Sequence, residues 1–261
     1  MKKIIKILLL GVLTPSCTDN SLENKGFQVN EITETEEGEK IVGIPIDSLE
    51  LETRPRNVLL TKHPNHRLSS IYKINYDKRT GKPFTGANTY HTNWGESEND
   101  ESNWNNNFMP GFEAVYGYNF VNISHYNNET QTQKEFFDKP VLVKTLYYPA
   151  FSKDTLNNQP VTRDYYMVSV YDEDTNKDGF ITITDLRRFY HFDLNGNRKK
   201  ALIPPHYSAM SSEYDSDNDF MYIFAKPDQN NNGQIEQEEP IHIFWIDLKN
   251  PENTGVQYAT K

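Results

Sequence analysis

The carboxy-terminal part of the chain contains an internal repeat whose two copies align without a gap when the sequence is shifted by 54 residues, which places Asp174 on Asp228. Each copy opens with an alternating apolar segment, continues with a polar run that contains one glycine, and closes with a second apolar segment. The alternating residues are Tyr166, Val168 and Val170 in the first copy and Phe220, Tyr222 and Phe224 in the second. A period of two is typical of strands, so each copy is predicted to form a strand, a polar loop, a second strand and a turn.

The two polar runs, residues 174–185 and 228–239, form loop 1 and loop 2, and their residues are counted as positions 1 to 12. Oxygen-bearing side chains occupy positions 1, 3, 5, 9 and 12 of both loops, glycine occupies position 6 and isoleucine position 8. This arrangement resembles the calcium-binding loop of the EF-hand family. Calcium prefers about six to eight oxygen ligands, which a loop supplies when alternate residues face inward and a glycine allows a sharp turn. The resemblance therefore implies one Ca²⁺ in each loop, two in all.

The resemblance also implies which residues bind the metal. In loop 1 the ligands would be the side chains of Asp174, Asn176 and Asp178, the carbonyl of Phe180, Thr182 through a water, and Asp185. In loop 2 they would be the side chains of Asp228, Asn230 and Asn232, the carbonyl of Gln234, Glu236 through a water, and Glu239. Loop 2 carries amides at positions 3 and 5, which weakens binding, whereas the longer Glu239 can bind with both oxygens. Affinities on the order of 10⁻⁴–10⁻³ M are normal for exported modules.

The segments that flank the loops depart from the EF-hand pattern, in which helices stand on both sides. The segments before both loops alternate with a period of two, and Pro240 directly follows loop 2. Because the two copies align without gaps, one structure is expected for both, and we predict strands. Loop 1 also resembles the calcium loop of dockerins, which implies a docking module as an alternative. The strand-like flanks and Pro240 differ from that family.

The start of the chain resembles a bacterial lipoprotein signal. Lys2, Lys3 and Lys6 give a positive start, residues 4–13 form a short apolar run, and Cys17, the only cysteine, follows. We predict that residues 1–16 are a signal peptide and that Cys17 is lipidated; a simple secretory peptide is the alternative. Residues 17–52 are rich in glutamate and are predicted to be an acidic tether, and residues 53–261 a β domain with repeat units near 166–219 and 220–261. The expected location is the bacterial cell envelope, at the outer membrane or cell surface.

Composition limits the fold and the partners. A net charge of −10 disfavours nucleic acid as a partner. With 16 tyrosines and 13% aromatic residues, the chain favours strands, and we predict an all-β, mainly antiparallel fold. Possible repeat units begin near residues 57, 112, 166 and 220, a spacing close to one propeller blade. A small or incomplete β-propeller and a β-sandwich both remain open.

Local patterns predict several further strands. Apolar runs mark residues 58–60, 71–76 and 141–148 as strands, and residues 114–126 as a pair of strands. The apolar run at residues 41–46 is expected to dock on the domain as an edge strand. After the second strand of the first copy, Asn195-Gly196 predicts a hairpin turn. Asp193 and Asp247, which coincide in the repeat, are expected to cap the turns that follow their strands.

The motifs outside the loops carry less information about function. Trp94 and Trp104, in an Asn-rich segment, are predicted to form a surface for a glycan or an envelope protein, or to anchor that segment on the core. The pair His63 and His66 has the spacing of zinc ligands on a helix, but the intervening proline and asparagine favour a turn. The acidic residues Asp215, Asp217 and Asp219 are expected to form a solvated turn.

No motif of a known nucleophile or phosphate loop occurs in the sequence, although the carboxylate pair of a glycosidase cannot be read from spacing. We therefore predict a binding or structural module of the cell envelope in which calcium has a structural role. An envelope enzyme that hydrolyses glycans, stabilised by calcium, is the alternative.

Overall fold

The computed structural model describes residues 44–45, 51–76, 80–84, 88–91, 109–117 and 119–260. Every regular element in these ranges is a strand, and every strand pair is antiparallel. The prediction of an all-β, mainly antiparallel fold is confirmed. In the part of the chain that the structure describes, no helix is long and apolar enough to cross a membrane. Cys17, Trp94, Trp104 and the predicted signal peptide lie outside the described residues.

The described residues form twenty strands. They are β1 (Ile44–Pro45), β2 (Thr53–Leu60), β3 (His66–Lys73), β4 (Asn75–Tyr76), β5 (Pro83–Phe84), β6 (Asn88–His91), β7 (Phe112–Gly117), β8 (Phe120–Asn127), β9 (Thr132–Glu135), β10 (Leu142–Pro149), β11 (Asp154–Leu156), β12 (Gln159–Val161), β13 (Tyr165–Tyr171), β14 (Phe180–Ile181), β15 (Arg188–Asp193), β16 (Arg198–Ala201), β17 (Tyr207–Asp215), β18 (Phe220–Pro227), β19 (His242–Asp247) and β20 (Thr254–Tyr258).

Three larger sheets form the body of the domain. The first sheet has the order β2-β3-β8-β9, the middle sheet β16-β15-β13-β10-β7-β6, and the third sheet β17-β18-β19-β20. One buried cluster joins side chains of the first and middle sheets, and a second cluster joins the middle and third sheets. The three sheets therefore stack as layers, with the middle sheet covered on both faces.

Strand β13 shows how the sequence produces this stack. Tyr166, Val168 and Val170 point into the cluster shared with the first sheet, and Tyr165 and Met167 point into the cluster shared with the third. Successive side chains of a strand point to opposite faces, so a strand between two cores is largely apolar on both faces. All five side chains are buried.

Each copy of the 54-residue repeat lies within a meander of four strands. Strands β10, β13, β15 and β16 follow one another across the middle sheet, as β17, β18, β19 and β20 do across the third. The shift of 54 residues superposes β13 on β18 and β15 on β19. The predicted hairpin at Asn195-Gly196 is confirmed as the turn between β15 and β16. The described sheets stack in layers without closing into a ring, so the architecture is sandwich-like and not that of a closed propeller.

The predicted pairing within residues 114–126 is wrong. Strands do form there, but β7 pairs with β10 and β6 in the middle sheet, whereas β8 pairs with β3 and β9 in the first. The chain passes between the layers at Asn119, which has a positive φ of 63° and whose carbonyl accepts a hydrogen bond from Lys73 N. An apolar strand sequence indicates that the strand is buried, but it does not identify the strand with which it pairs.

A buried ion pair joins the middle and third layers. The Arg163 guanidinium donates two hydrogen bonds to the Asp219 carboxylate, at 2.7 and 2.9 Å, and both side chains are 2% exposed. Arg163 also donates to the carbonyls of Leu248 and Pro110, and the Tyr214 hydroxyl donates to Asp219. The remaining polar atoms of the pair are thus satisfied, as a buried charge pair requires.

This pair corrects the expectation that all three aspartates near residue 217 are solvated. Asp215 does accept the N–H groups of Asp217 and Asn218 in an exposed turn. Asp219 has a positive φ of 60° and turns inward to Arg163. This difference could not be predicted from the local sequence, because the partner of Asp219, Arg163, is 56 residues away.

Candidate metal centre

Both loops connect two strands that pair with each other. Loop 1 runs from β13 to β15, in which Val170 lies opposite Arg188, and loop 2 runs from β18 to β19, in which Ala225 lies opposite His242. Strands therefore precede and follow both loops, as the sequence predicted. Each loop is the connection of a hairpin.

The aspartate at position 1 has the same hydrogen bonds in both loops. One carboxylate oxygen accepts the N–H of position 5, at 3.1 Å for Asp174 and 3.0 Å for Asp228. The other oxygen accepts the N–H of the glycine at position 6, at 2.9 Å in both loops. The loop backbone therefore wraps around this carboxylate.

Positions 3 and 5 repeat this arrangement. The Oδ1 of the position 3 asparagine, Asn176 or Asn230, accepts the N–H of position 5 at 3.0 Å. The Oδ1 of position 5, Asp178 or Asn232, accepts the N–H of position 7 at 2.9 Å. An amide oxygen accepts as a carboxylate oxygen does. The exchange of Asp for Asn at position 5 therefore leaves the geometry intact and lowers only the charge.

The acidic residue at position 12 closes each loop. One oxygen accepts the N–H of position 2, at 2.7 Å for Asp185 and 2.8 Å for Glu239, and the other accepts the N–H of position 9, at 2.7 and 3.0 Å. The shorter aspartate reaches the same two groups as the glutamate. Burial raises the pKa of the Asp185 carboxyl, while these N–H donors act in the opposite direction.

The backbone of both loops has the left-handed conformation at positions 4 and 6. The φ angles are 61° at Lys177 and 91° at Gly179, and 56° at Asn231 and 78° at Gly233. The φ angles at position 6 lie beyond the range of about 50–70° that residues with a Cβ tolerate, which explains the glycine there, whereas the φ angles at position 4 lie within that range. The N–H of position 5 donates to an oxygen of position 1 and to one of position 3, so these two oxygens lie close together in both loops.

Position 9 differs between the loops. In loop 1, the Thr182 hydroxyl makes a 2.6 Å hydrogen bond with the Thr184 hydroxyl. In loop 2, the Glu236 carboxylate accepts the Nδ2 groups of Asn230 and Asn232, at 2.9 and 2.8 Å. Glu236 thus adds a charge next to the two amides that lack one.

The donor set suits a hard cation such as Ca²⁺, because it consists of carboxylate and amide oxygens. Each carboxylate oxygen at positions 1 and 12 accepts N–H groups of the loop and keeps lone-pair capacity for a cation. No three His, Cys, Asp or Glu side chains lie close enough together to hold a metal ion in the described ranges. The loops would therefore bind calcium with amide and main-chain carbonyl oxygens beside their carboxylates.

The loops also make contacts beyond themselves that the sequence did not predict. Thr175 Oγ1 of loop 1 donates a 2.6 Å hydrogen bond to the Gly233 carbonyl of loop 2. In loop 1, β14 pairs with β1, so that Ile181 lies opposite Ile44, which is 3% exposed. The edge-strand prediction for residues 41–46 is confirmed for the two residues that the structure describes. No local pattern pointed to either partner, because one is 58 residues away and the other lies far upstream.

The expectation of a turn at His63 and His66 is confirmed. His63 Nε2 lies 3.0 Å from the Arg163 carbonyl and 3.1 Å from Asp164 Oδ1, and His66 Nδ1 lies 2.9 Å from His125 Nε2. The two histidines thus face different partners. Burial, helped by the adjacent His66, lowers the pKa of His125 to about 4.

The turn caps predicted from the repeat are confirmed. Asp193 Oδ1 accepts the N–H groups of Asn195 and Asn197, at 3.0 and 2.9 Å. Asp247 Oδ1 accepts the N–H of Lys249 at 2.9 Å. Partial burial acts to raise the pKa of the Asp193 carboxyl, but the hydrogen bonds from the Asn197 side chain and from the backbone of the turn outweigh it, so the pKa is lowered.

No protein-family model matches the chain, and no characterised protein has a significantly similar sequence.

Proposed function

We propose that this chain is a calcium-binding protein of the bacterial cell envelope, anchored by a lipid on Cys17, in which Ca²⁺ in both loops has a structural role. The domain would act as a non-catalytic binding or structural module. The observation that supports calcium binding best is the hydrogen-bond pattern around positions 1, 3, 5 and 12, which is the same in two loops of different sequence.

Buried charge supports the same proposal. Asp185, Asp228 and Glu239 are 2%, 8% and 7% exposed. No ion pair between described residues includes any of them. A buried carboxylate costs several kcal/mol unless it is paired, and backbone N–H groups offset only part of that cost. A bound cation would supply the missing positive charge.

The position of the loops supports a structural role over a signalling one. Each loop joins two strands that are already paired in a sheet, and strands, not hinged helices, flank it. A cation would hold the two strand ends together and so stabilise the hairpin, as a disulfide does in other exported domains. Because the chain has a single cysteine, it cannot form a disulfide within itself, and the metal would take this role.

The experiment is calcium titration of the purified full-length chain, followed by calorimetry and thermal unfolding. We expect binding of two Ca²⁺, with Kd on the order of 10⁻⁴–10⁻³ M, and a melting temperature that rises by several degrees in 10 mM CaCl₂ relative to EDTA. Magnesium at the same concentration is the control. An unchanged melting temperature, together with no heat of binding, would show that the loops bind no calcium.

A further inference from the structure

Loop 1 and loop 2 belong to different sheets but are in direct contact. The Thr175 hydroxyl donates to the Gly233 carbonyl at 2.6 Å. The backbones are so close that a Cβ on Gly233 would lie 1.9 Å from the Thr175 carbonyl oxygen. The two loops therefore pack backbone to backbone at position 2 of one and position 6 of the other.

Each of these two residues also holds a predicted calcium ligand of its own loop. The N–H of Thr175 donates to Asp185 Oδ1 at 2.7 Å. The N–H of Gly233 donates to Asp228 Oδ2 at 2.9 Å. A continuous path of hydrogen bonds thus runs from Asp185 through Thr175 and Gly233 to Asp228.

The Thr175 hydroxyl has one proton and two acceptors within reach. The Gly233 carbonyl lies 2.6 Å from Oγ1, and Asp185 Oδ1 lies 3.2 Å from it. The N–H of Leu186 donates to the same hydroxyl at 2.9 Å, which fixes its orientation. A free carboxylate competes for the proton, whereas a carboxylate engaged by a cation competes less. Occupation of loop 1 therefore strengthens the hydrogen bond to loop 2.

We infer that the two loops bind calcium cooperatively and that Thr175 is the positioning residue that couples them. This inference rests on the proposed calcium binding. Binding at loop 1 secures the Thr175–Gly233 contact, and Gly233 in turn holds the position 1 carboxylate of loop 2. The coupling is positive, and because linkage is reciprocal, binding at loop 2 favours binding at loop 1 by the same factor.

The isoleucines at position 8 do not pair with each other across the two loops. Ile181 of loop 1 lies opposite Ile44 of β1, and Ile235 of loop 2 has no strand partner among the described residues. The Thr175–Gly233 contact is therefore the hydrogen-bonded link that the geometry offers between the two sites.

The test uses calcium titrations of the full-length chain in variants with one disabled loop. Asp178→Ala removes a position 5 ligand from loop 1, and Asn232→Ala removes one from loop 2. We expect loop 2 to bind about fivefold to tenfold more weakly in Asp178→Ala than in the wild type, at the low end of typical site coupling. Loop 1 should weaken by the same factor in Asn232→Ala.

Variants of Thr175 test whether the coupling between the loops passes through this residue. Thr175→Val keeps the shape but removes the hydroxyl, and should weaken loop 2 as much as Asp178→Ala does, whereas Thr175→Ser should bind as the wild type does. Unfolding in EDTA verifies that each variant is folded. Independent loop affinities would overturn the coupling, and coupling that persists in Thr175→Val would overturn the role of Thr175. If neither loop binds calcium in the wild type, the proposed function itself fails.

Discussion

The glycines at position 6 offer a matched pair of substitutions that measures the contact between the loops. Gly179 and Gly233 both have positive φ, 91° and 78°. An alanine at either position is therefore strained by about 1–2 kcal/mol. The surroundings differ, because a Cβ at Gly179 meets nothing within 4 Å, whereas a Cβ at Gly233 would lie 1.9 Å from Thr175 O and 2.2 Å from Thr175 C.

The extra cost at Gly233 follows from these distances. Ordinary contact begins near 3.4 Å, so the loops must separate by about 1.5 Å to admit the methyl group. This movement breaks the Thr175–Gly233 hydrogen bond, worth about 1 kcal/mol, and the forced repacking costs about 1–3 kcal/mol. We expect Gly179→Ala to lower the free energy of unfolding by about 1–2 kcal/mol and Gly233→Ala by about 3–6 kcal/mol.

The assay is urea denaturation of the full-length chain in EDTA, which removes metal binding from the comparison. Both variants should keep the wild-type dependence on urea, so that the midpoints report stability alone. Equal destabilisation by the two alanines would refute the reasoning, because it would show that the loops are not in contact in solution.

Three further predictions concern other parts of the fold. Arg163→Met leaves the Asp219 carboxylate buried and unpaired, so we expect a loss of about 3–5 kcal/mol in urea denaturation. Because the folded chain holds the pKa of His125 at about 4, below its ordinary 6.5, its contribution is intact above pH 6.5 and is lost as the pH falls towards 4. It amounts to about 3 kcal/mol, and melting curves of His125→Gln should show a weaker dependence on pH over that range. Ile44→Asp should release β1 from loop 1, which would speed proteolysis near residue 44 and leave the global melting temperature unchanged. The same change at the exposed Val58 should alter neither the proteolysis rate nor the melting temperature.

The interior of each loop could be predicted from the sequence because its contacts are local. The hydrogen bonds of Asp174 and Asp228 end four and five residues downstream, so chain connectivity and the glycine at position 6 suffice to form them. The flanking strands could be predicted for a similar reason. Their period of two is set by the alternation of side chains along an extended backbone.

The neighbours of these elements were decided by the tertiary structure. Thr175 of loop 1 contacts Gly233 of loop 2 only because the middle and third sheets stack. Asp219 is buried only because the same stacking brings Arg163 to it. Residues 114–126 show the same limit, since two strands that are adjacent along the chain enter different sheets.

The sequence by itself thus determined two strand–loop–strand units with oxygen-bearing side chains at regular positions, because these depend on spacing and on backbone conformation within about a dozen residues. Tertiary structure alone decided that the loops touch through Thr175 and Gly233. Contacts across 58 residues depend on how whole layers pack, and packing rewards buried area and shape, which no short pattern of residues encodes.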